Sequence, residues 1–460
     1  MSSPFLQKLR FTTNGIRGVA NKDLTPYTCT RIGQSLGMFL GRNANVIIAT
    51  DFRISGPMIK NALISGLLST GVNVQDAGYA PTPALQKYVK DGEKYDLGLI
   101  ITASHNPPEF NGIKIVDADG IEIPPEKEKK IENLYNTWNP GLLLPEWKQT
   151  GMLSEQLGLL EYYIDNIINN VKIDKNNARN IKVVVDPGNG ITCCYIETLL
   201  QRLGVQYASI FDEADGCFPN RVSEPTPQSL KDLSKSVIRN EATFGIGFDG
   251  DGDRAIFVDG NGEFHWGDES FAVILNDLLQ TYKGWVVTPV SSSVLVQDVV
   301  DAHGAKLEWT KVGSITVSRR MLELNAKIAG EENGGIFYNP HQPVRDGGMA
   351  LGLITDIVAR NDCNLTSLFS KIPKYHLHKE TIKVENNQKQ EILDYIKKNT
   401  VDYKTLQIDG VKIFKDEGSV LIRPSGTEPK FRSFADGKTK KIAEDLSRWG
   451  IQLVREGANL

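Results

Sequence analysis

The sequence predicts an α/β protein of three similar domains followed by a smaller α+β domain, and three observations carry that expectation. Residues 46–51, 183–188 and 285–289 are short β-branched runs ending in turn or polar residues. A helical stretch follows each, at 58–68, 192–203 and 294–302. This strand–turn–helix beat opens a βαβ unit, and short strands apolar throughout suit a parallel sheet covered on both faces. Each segment also has a second apolar run that delivers a motif: 97–101 leads to Ser104, 244–248 to Asp249, and 326–329 to Gly330. Chemistry just beyond strand ends is where open α/β sheets bind ligands.

The C-terminal part differs in character. A strand at 382–385, an amphipathic helix at 388–399, two short strands ending at 419–423 and a helix at 443–456 make an α+β pattern. Polar or Pro-containing connections near 147–155, 254–262 and 368–378 divide the chain into 1–150, 151–256, 257–370 and 371–460. That agrees with domains of roughly 100–200 residues in a chain of this length.

Composition is that of a globular protein with sizeable cores, 40% hydrophobic and 23% charged. The net charge of −4, with no long basic run, argues against nucleic acid as a partner. Local arginines can still build an anion site. The five cysteines, Cys29, Cys193, Cys194, Cys217 and Cys363, match no zinc pattern and read as reduced thiols. The first ten residues lack a signal-peptide apolar core, and no run reaches the ~20 apolar residues of a membrane span. These features read as a soluble, cytoplasmic protein.

Four motifs carry chemistry. The first is Thr102-Ala-Ser-His-Asn-Pro-Pro-Glu-Phe-Asn-Gly-Ile-Lys114, in which Ser104 stands on a turn stiffened by Pro107-Pro108, beyond a buried strand. That is where an α/β protein places a residue that must carry a chemical group. The second is Asp249-Gly-Asp-Gly-Asp-Arg254. Three carboxylates at alternate positions project to one side of an extended backbone, and hard oxygen ligands suit Mg²⁺. A calcium EF-hand loop fails because Arg254 and Gly260 stand where it needs Gly and Glu. An acidic hairpin turn is the plain alternative, but three close carboxylates repel without a cation.

The third motif is Arg423-Pro-Ser-Gly-Thr-Glu-Pro-Lys430. Arg423 suits a phosphate held through two parallel hydrogen bonds, and Ser425, Gly426 and Thr427 offer hydroxyls and backbone N–H groups for an anion nest. A Pro-Gly turn uses the same residues. The fourth is Gly330-Glu-Glu-Asn-Gly-Gly335, where Glu331 and Asn333 match vicinal sugar hydroxyls as well as they match a solvated turn. Arg17 by itself reads as a surface arginine, and His105 as either a cap or a phosphate contact. Together the four motifs supply a phosphate carrier, a Mg²⁺ cage, a phosphate clamp and a hydroxyl reader. They lie on four domains, which places the substrate in a central cleft.

These motifs, in this order from Arg17 to Lys430, resemble the α-D-phosphohexomutase superfamily. The resemblance implies three α/β/α sandwich domains with mixed sheets plus a C-terminal TATA-binding-protein-like α+β domain around a central cleft. It implies that Ser104 is the phosphorylated serine, and that Asp249, Asp251 and Asp253 bind Mg²⁺ with an oxygen of that phosphate. Lys114 matches the general acid/base, its pKa lowered by neighbouring cations such as Arg17. Arg17, His105 and Arg254 match groups around the transferring phosphoryl, Glu331 and Asn333 the sugar reader, and Arg423, Ser425, Gly426 and Thr427 the clamp on the phosphate that does not react. It implies a mutase that interconverts hexose 1-phosphate and hexose 6-phosphate through hexose 1,6-bisphosphate, with small hexose phosphates as partners and a monomer or homodimer as the working unit.

Several bacterial relatives carry Ser at the place of Asn333 and His at that of Gly335, and Ser314 stands where some carry His. The preferred sugar therefore stays open between glucose, mannose and glucosamine phosphates, the last making the enzyme a phosphoglucosamine mutase. A Mg²⁺-dependent sugar phosphatase using Ser104 and a non-catalytic sugar-phosphate sensor are the rivals outside the mutase reaction.

Overall fold

The computed structural model describes residues 8–11, 15–137, 144–426 and 428–458. It divides into two compact units, Met1–His265 with Ile336–Leu365, and Trp266–Gly335 with Thr366–Leu460.

The first unit contains two mixed sheets. One has six strands in the order Ile16–Val19, Phe110–Asp117, Leu97–Ile101, Asn45–Thr50, Asn73–Tyr79, Leu153–Glu155. Asn45–Thr50 runs parallel to both Asn73–Tyr79 and Leu97–Ile101, whereas Phe110–Asp117 is antiparallel to its two neighbours. Every residue of Leu97–Ile101 is buried. That strand needs apolar side chains on both faces because helices cover both. On one face Ile48, Leu97, Leu99 and Ile101 share a core with Leu63 and Leu67 of the helix Gly56–Ser69. The antiparallel register sets Ile101 opposite Ile113 and Ile100 opposite Lys114. The spacing from Ser104 to Lys114 is therefore that of a hairpin, with Ser104 in its connection.

The second sheet repeats the design with Phe264–His265, Ala255–Asp259, Phe244–Phe248, Lys182–Asp186 and Gln206–Ser209 in that order. Phe244–Phe248 is parallel to Lys182–Asp186 and antiparallel to Ala255–Asp259. The Asp249–Arg254 segment is the turn of that hairpin. The unit also carries an antiparallel pair, Ile336–Tyr338 and Gln342–Arg345, followed by the buried helix Gly347–Asn361, N-capped by Asp346.

In the second unit Trp285–Pro289 runs parallel between Lys306–Thr310 and Ile328–Gly330. A five-stranded antiparallel sheet follows in the order His376–Lys383, Lys430–Gly437, Gly418–Pro424, Val411–Lys415, Lys404–Leu406. Its core face, with Val411, Ile413, Val420, Ile422 and Phe431, packs on Leu446 and Val454 of the helix Lys440–Gly457.

Several elements differ from the sequence expectation. The segment near 254–262, expected as a connection, contains the buried strand Ala255–Asp259, because its apolar residues are the returning arm of the hairpin that carries Asp249–Arg254. The C-terminal part carries Lys404–Leu406 and Lys430–Gly437 besides the two strands expected there. The strand expected at 382–385 begins at His376, because its first residues are polar on a half-exposed strand and do not register as an apolar run. The helix expected at 192–203 is a 3₁₀ turn, Ile191–Cys194, then an α-helix, Ile196–Leu203. The five cysteines are free thiols. Among the described residues no helix is long and apolar enough to cross a membrane.

Candidate active site

Ser104 adopts φ +52°, a left-handed conformation that costs a non-glycine residue energy and persists only where surroundings impose it. Those surroundings are built by Arg53, which is fully buried. Its Nη1 donates to the carbonyls of Pro107 (2.7 Å) and Phe110 (2.9 Å). Its Nη2 donates to those of Ser104 (2.9 Å) and Asn106 (2.7 Å). One guanidinium thus gathers both ends of the loop. Asp51 lies 3.3 Å from Arg53 Nε and accepts from Thr102 Oγ1 at 2.6 Å, while Thr102 Oγ1 in turn accepts from the Ser104 N–H. Burial pushes the Asp51 carboxyl up to about 6, with Arg53 pulling the other way.

The strained turn aims Ser104 Oγ at Asp249 Oδ2, 2.9 Å away, with His105 Nδ1 at 3.3 Å. The approach is close: a Cβ on Gly250 would stand 2.4 Å from the Ser104 carbonyl oxygen, so only glycine fits there. Burial, then Arg254 and Arg17, hold the His105 imidazole down at about 3, so it is neutral at neutral pH.

Asp249, Asp251 and Asp253 converge, with one oxygen of each within 4.8 Å of the others. All three are buried. They converge on a turn rather than on the extended run the alternate spacing suggests. Gly252, at φ +73°, lets its N–H donate back to the Asp249 carbonyl at 3.2 Å. Arg254 closes the turn, donating from its backbone to Asp249 Oδ1 (3.1 Å) and from Nε to Oδ2 (3.0 Å). Behind the turn Arg221 forks Asp186 and donates to the Phe248 carbonyl, fixing the strand end.

Lys114 Nζ donates to Asp251 Oδ2 (2.6 Å) and Asp253 Oδ2 (3.1 Å). Thr82 Oγ1 donates to Asp251 Oδ2 at 2.6 Å, and Arg345 Nη2 to Asp253 Oδ2 at 2.6 Å. Burial alone would lower the Lys114 pKa, but Asp251 and Asp253 outweigh it and the net shift is upward. The expectation that Arg17 depresses Lys114 is therefore corrected: two carboxylates hold its proton. The same pairing keeps Asp251 below the usual carboxylate range against the pull of burial, whereas burial and the neighbouring Asp253 raise Asp249.

What remains unsatisfied defines the ligands. Asp251 Oδ1 and Asp253 Oδ1 are buried acceptors with no hydrogen-bond partner. Arg17 Nε and Arg254 Nη2 are buried donors with none, although Arg17 Nη1 donates to Asn106 Oδ1 at 2.5 Å. Leaving such groups unpaired costs about 1–3 kcal/mol each, more when charged. A hard cation satisfies the acceptors and an anion satisfies the donors, so the residues fit Mg²⁺ beside a phosphoryl group.

The first unit thus brings together Arg17, Ser104, His105, Lys114, Asp249, Asp251, Asp253 and Arg254. The second holds Glu331, Asn333, Arg423, Ser425 and Gly426. Glu331 is buried and its N–H donates to the Gly335 carbonyl (2.9 Å), while Asn333 Oδ1 accepts from the Gly335 N–H (3.2 Å), so the loop is a closed turn. Arg423 Nε lies 2.9 Å from Asp409 Oδ2. Ser425 Oγ accepts from the Glu428 N–H at 3.2 Å, and Lys389 Nζ donates to the carbonyls of Ser425 and Glu428. Thr427 lies outside the described residues.

Sequence reasoning missed Asp51, Arg53, Thr82, Asn106, Arg221 and Arg345. Two signals were available. Asp51-Phe-Arg53 places opposite charges immediately after a buried strand, and Arg345-Asp346 does so before Gly347-Gly348 at a helix start.

Four family models cover the chain, described as phosphoglucomutase/phosphomannomutase alpha/beta/alpha domain I at residues 8–140, domain II at 161–262, domain III at 266–375 and C-terminal domain at 381–448. A phosphoglucosamine/phosphogalactosamine mutase of Sulfurisphaera tokodaii is 38% identical over 95% of this chain and 97% of its own. This chain belongs to the phosphoglucomutase/phosphomannomutase family. A phosphoglucomutase/phosphomannomutase of Thermococcus kodakarensis is also 38% identical, over 97% of this chain and 98% of its own. A crystal structure of a family protein from Burkholderia thailandensis superposes with a TM-score of 0.85 at 25% identity, covering 98% of this chain and all of that one. The family member described here has the four-domain α/β architecture with mixed sheets and is a phosphohexomutase, an isomerase that transfers phosphoryl groups intramolecularly.

Proposed function

We propose that this phosphohexomutase interconverts hexose 1-phosphate and hexose 6-phosphate, glucose and/or mannose, by way of a phosphoserine at Ser104 and a hexose 1,6-bisphosphate. One observation carries the reading: around a strained, buried Ser104 Oγ, orphaned acceptors of Asp251 and Asp253 stand with orphaned donors of Arg17 and Arg254. The name of the 38%-identical Sulfurisphaera relative supports a second reading, turnover of glucosamine phosphates by the same site.

Asp249, Asp251 and Asp253 would hold Mg²⁺, which when bound supplies positive charge to the phosphoryl oxygens. Arg17 and Arg254 direct their unused N–H groups at the same oxygens, and preorganised donors of this kind stabilise charge at no reorganisation cost during reaction. The loop clamped by Arg53 fixes Ser104 Oγ, so that the bond from Oγ to phosphorus breaks as a sugar hydroxyl bonds to phosphorus. Lys114, held protonated by its carboxylates, returns a proton to the oxygen released and takes one from the hydroxyl that attacks. The two half-reactions use opposite ends of the sugar. Glu331 and Asn333 therefore contact hydroxyls in both orientations, and Arg423, Ser425, Gly426 and Thr427 grip whichever phosphate is not reacting. Hexose phosphates as substrates, reduced thiols and a negative net charge suit a cytoplasmic enzyme working as a monomer or homodimer, without nucleic acid.

The test is a rate comparison on glucose 1-phosphate, mannose 1-phosphate and glucosamine 1-phosphate with Mg²⁺ and a trace of hexose 1,6-bisphosphate, together with intact-mass measurement. Ser104→Ala is expected to stay folded, lose turnover and lose the phosphoryl adduct. Undiminished turnover in that variant refutes the reading, and steady release of inorganic phosphate from the unaltered enzyme replaces it with a phosphatase.

A further inference from the structure

Lys412 lies on the strand Val411–Lys415 of the C-terminal sheet and is only 1% exposed. A buried ammonium ordinarily pairs with a carboxylate. Among the described residues, no carboxylate lies within ion-pair distance of this one. Its N–H groups go elsewhere. Nζ donates to the carbonyl of Val290 at 3.1 Å and to that of Ser292, and sits 4.4 Å from the centroid of the Trp309 ring. Both carbonyls belong to the turn between the strand Trp285–Pro289 and the helix Val294–Ala302, where an α/β unit presents its ligand-binding backbone.

The turn is gripped from other sides as well. Ser293 N–H donates to Asp268 Oδ2 at 2.8 Å, and Val294 N–H to Asp436 Oδ1 at 3.4 Å. The intervening Ser291 points its hydroxyl the other way, donating to Glu332 Oε2 at 2.9 Å. Glu332 is the central residue of the loop that carries Glu331 and Asn333, and Lys379 Nζ lies 3.9 Å from its other oxygen.

On the C-terminal side, Val411 pairs with Ile422, the residue before Arg423. Asp409, which precedes the same strand, takes Arg423 Nε at 2.9 Å and accepts from the Val312 N–H at 3.2 Å. Strand pairing joins Arg423 to Lys412, the lysine holds the carbonyls on either side of Ser291, and Ser291 bonds to the 330–335 loop.

We infer that Lys412 is a positioning residue for the hexose phosphate: it pins the strand pair bearing Arg423 to the 290–293 turn and, through Ser291 and Glu332, sets the phosphate clamp against the sugar reader. The inference rests on the mutase reading for what Arg423 and Glu331 bind. The pin itself rests on the contacts alone. The hydrogen bonds and ring contact of Lys412 lie within the second unit. Its loss therefore alters how well both ends of the sugar phosphate are held at once, and leaves the phosphoryl-carrying residues of the first unit unaltered.

The experiment compares Lys412→Met, Lys412→Arg, Ser291→Ala and the double variant Lys412→Met/Ser291→Ala in the full chain with Mg²⁺. The substrate is whichever of the three hexose 1-phosphates turns over fastest. Lys412→Met is expected to raise KM about tenfold, one charge-assisted hydrogen bond's worth of binding. The Mg²⁺ concentration for half-activation and the Ser104 adduct mass should stay unchanged, and Lys412→Arg should recover most of KM. Because both single variants act through one chain of contacts, the double variant should raise KM by less than the product of their effects.

Hydrogen exchange of the Ser293 and Val294 amides should quicken at least about tenfold in Lys412→Met, whatever the substrate. Unchanged exchange, or multiplicative KM effects, overturns the pin. An enzyme that shows fast exchange in Lys412→Met but never turns over a hexose phosphate keeps the pin and loses the mutase reading instead. Should Lys412→Met fail to fold, Ser291→Ala decides alone: KM within about twofold of the unaltered enzyme refutes the inference, since the loop then needs no support from Ser291.

Discussion

Replacing Arg53 tests whether one buried guanidinium shapes the Ser104 loop. Its four N–H···O=C bonds span 2.7–2.9 Å. At about 1.5–3 kcal/mol for a hydrogen bond to a charged group, four of them set an upper bound of about 6–12 kcal/mol. They share one donor group, so their losses do not add. Removing one member of a buried charge pair costs about 3–5 kcal/mol, and we expect Arg53→Met to lose about 4 kcal/mol.

The deficit has a pH signature. Asp51 titrates at about 6 in the folded protein, above its ordinary 3.8. Such a raised pKa contributes stability that is complete below the unfolded value and lost as pH climbs through the folded one. Without Arg53 the Asp51 pKa moves higher still. The penalty for ionising Asp51 is then the same in both proteins near pH 5 and larger in the variant near pH 8. Thermal unfolding at the two pH values, with hydrogen exchange over residues 102–112, measures the effect, and kcat should fall at least about a hundredfold as Ser104 relaxes from its left-handed conformation. Arg53→Lys keeps a charge near Asp51 but cannot fork four carbonyls, so it should recover stability more than turnover. The reasoning is refuted if Arg53→Met unfolds within about 1 kcal/mol of the unaltered enzyme and keeps its kcat.

Three further outcomes are expected. Asp251→Asn removes a buried acceptor, and calorimetric Mg²⁺ titration should show affinity reduced by about 10–100-fold or more; unchanged affinity would move the metal elsewhere. Arg423→Ala should raise KM for hexose phosphate by about 10–100-fold with a smaller change in kcat, because a charge-assisted phosphate contact of about 1.5–3 kcal/mol is lost; steady-state kinetics on the folded variant decide it. Glu128, on the helix Pro125–Asn136, has its carboxyl pushed up to about 7 by burial and then by Glu132 and Glu122. That stability is full below about pH 4.5 and lost as pH rises through 7, so Glu128→Gln should melt about 2 °C higher at pH 8 and unchanged at pH 4; a gain confined to low pH would contradict the sign.

Much of the site was legible because its chemistry is local in the chain. Three carboxylates two residues apart need only one turn to converge, and a serine beyond an apolar strand and a lysine ten residues on need only a hairpin to fall on its connection and its returning strand. The alternation of buried strands and helices, and the α+β end, followed from runs of four to six apolar residues whose environment is the same on both faces. Bonds between residues far apart in sequence were not legible. Arg53 reaches carbonyls more than fifty residues away, Thr82 and Lys114 reach Asp251, and Arg345 reaches Asp253 from beyond the second unit's first segment.

The sequence by itself therefore determined which groups are candidates for the reaction we propose: the serine, the carboxylate turn and the clamp, each encoded in one short motif. Tertiary structure decided their state. It set Ser104 at a positive φ, gave Lys114 two carboxylates that keep its proton, left one oxygen on each of Asp251 and Asp253 without a hydrogen-bond partner, and turned Lys412 toward backbone carbonyls. The physical reason is that charge state and strain depend on burial and on neighbours brought together by folding, and neither is a property of adjacent residues.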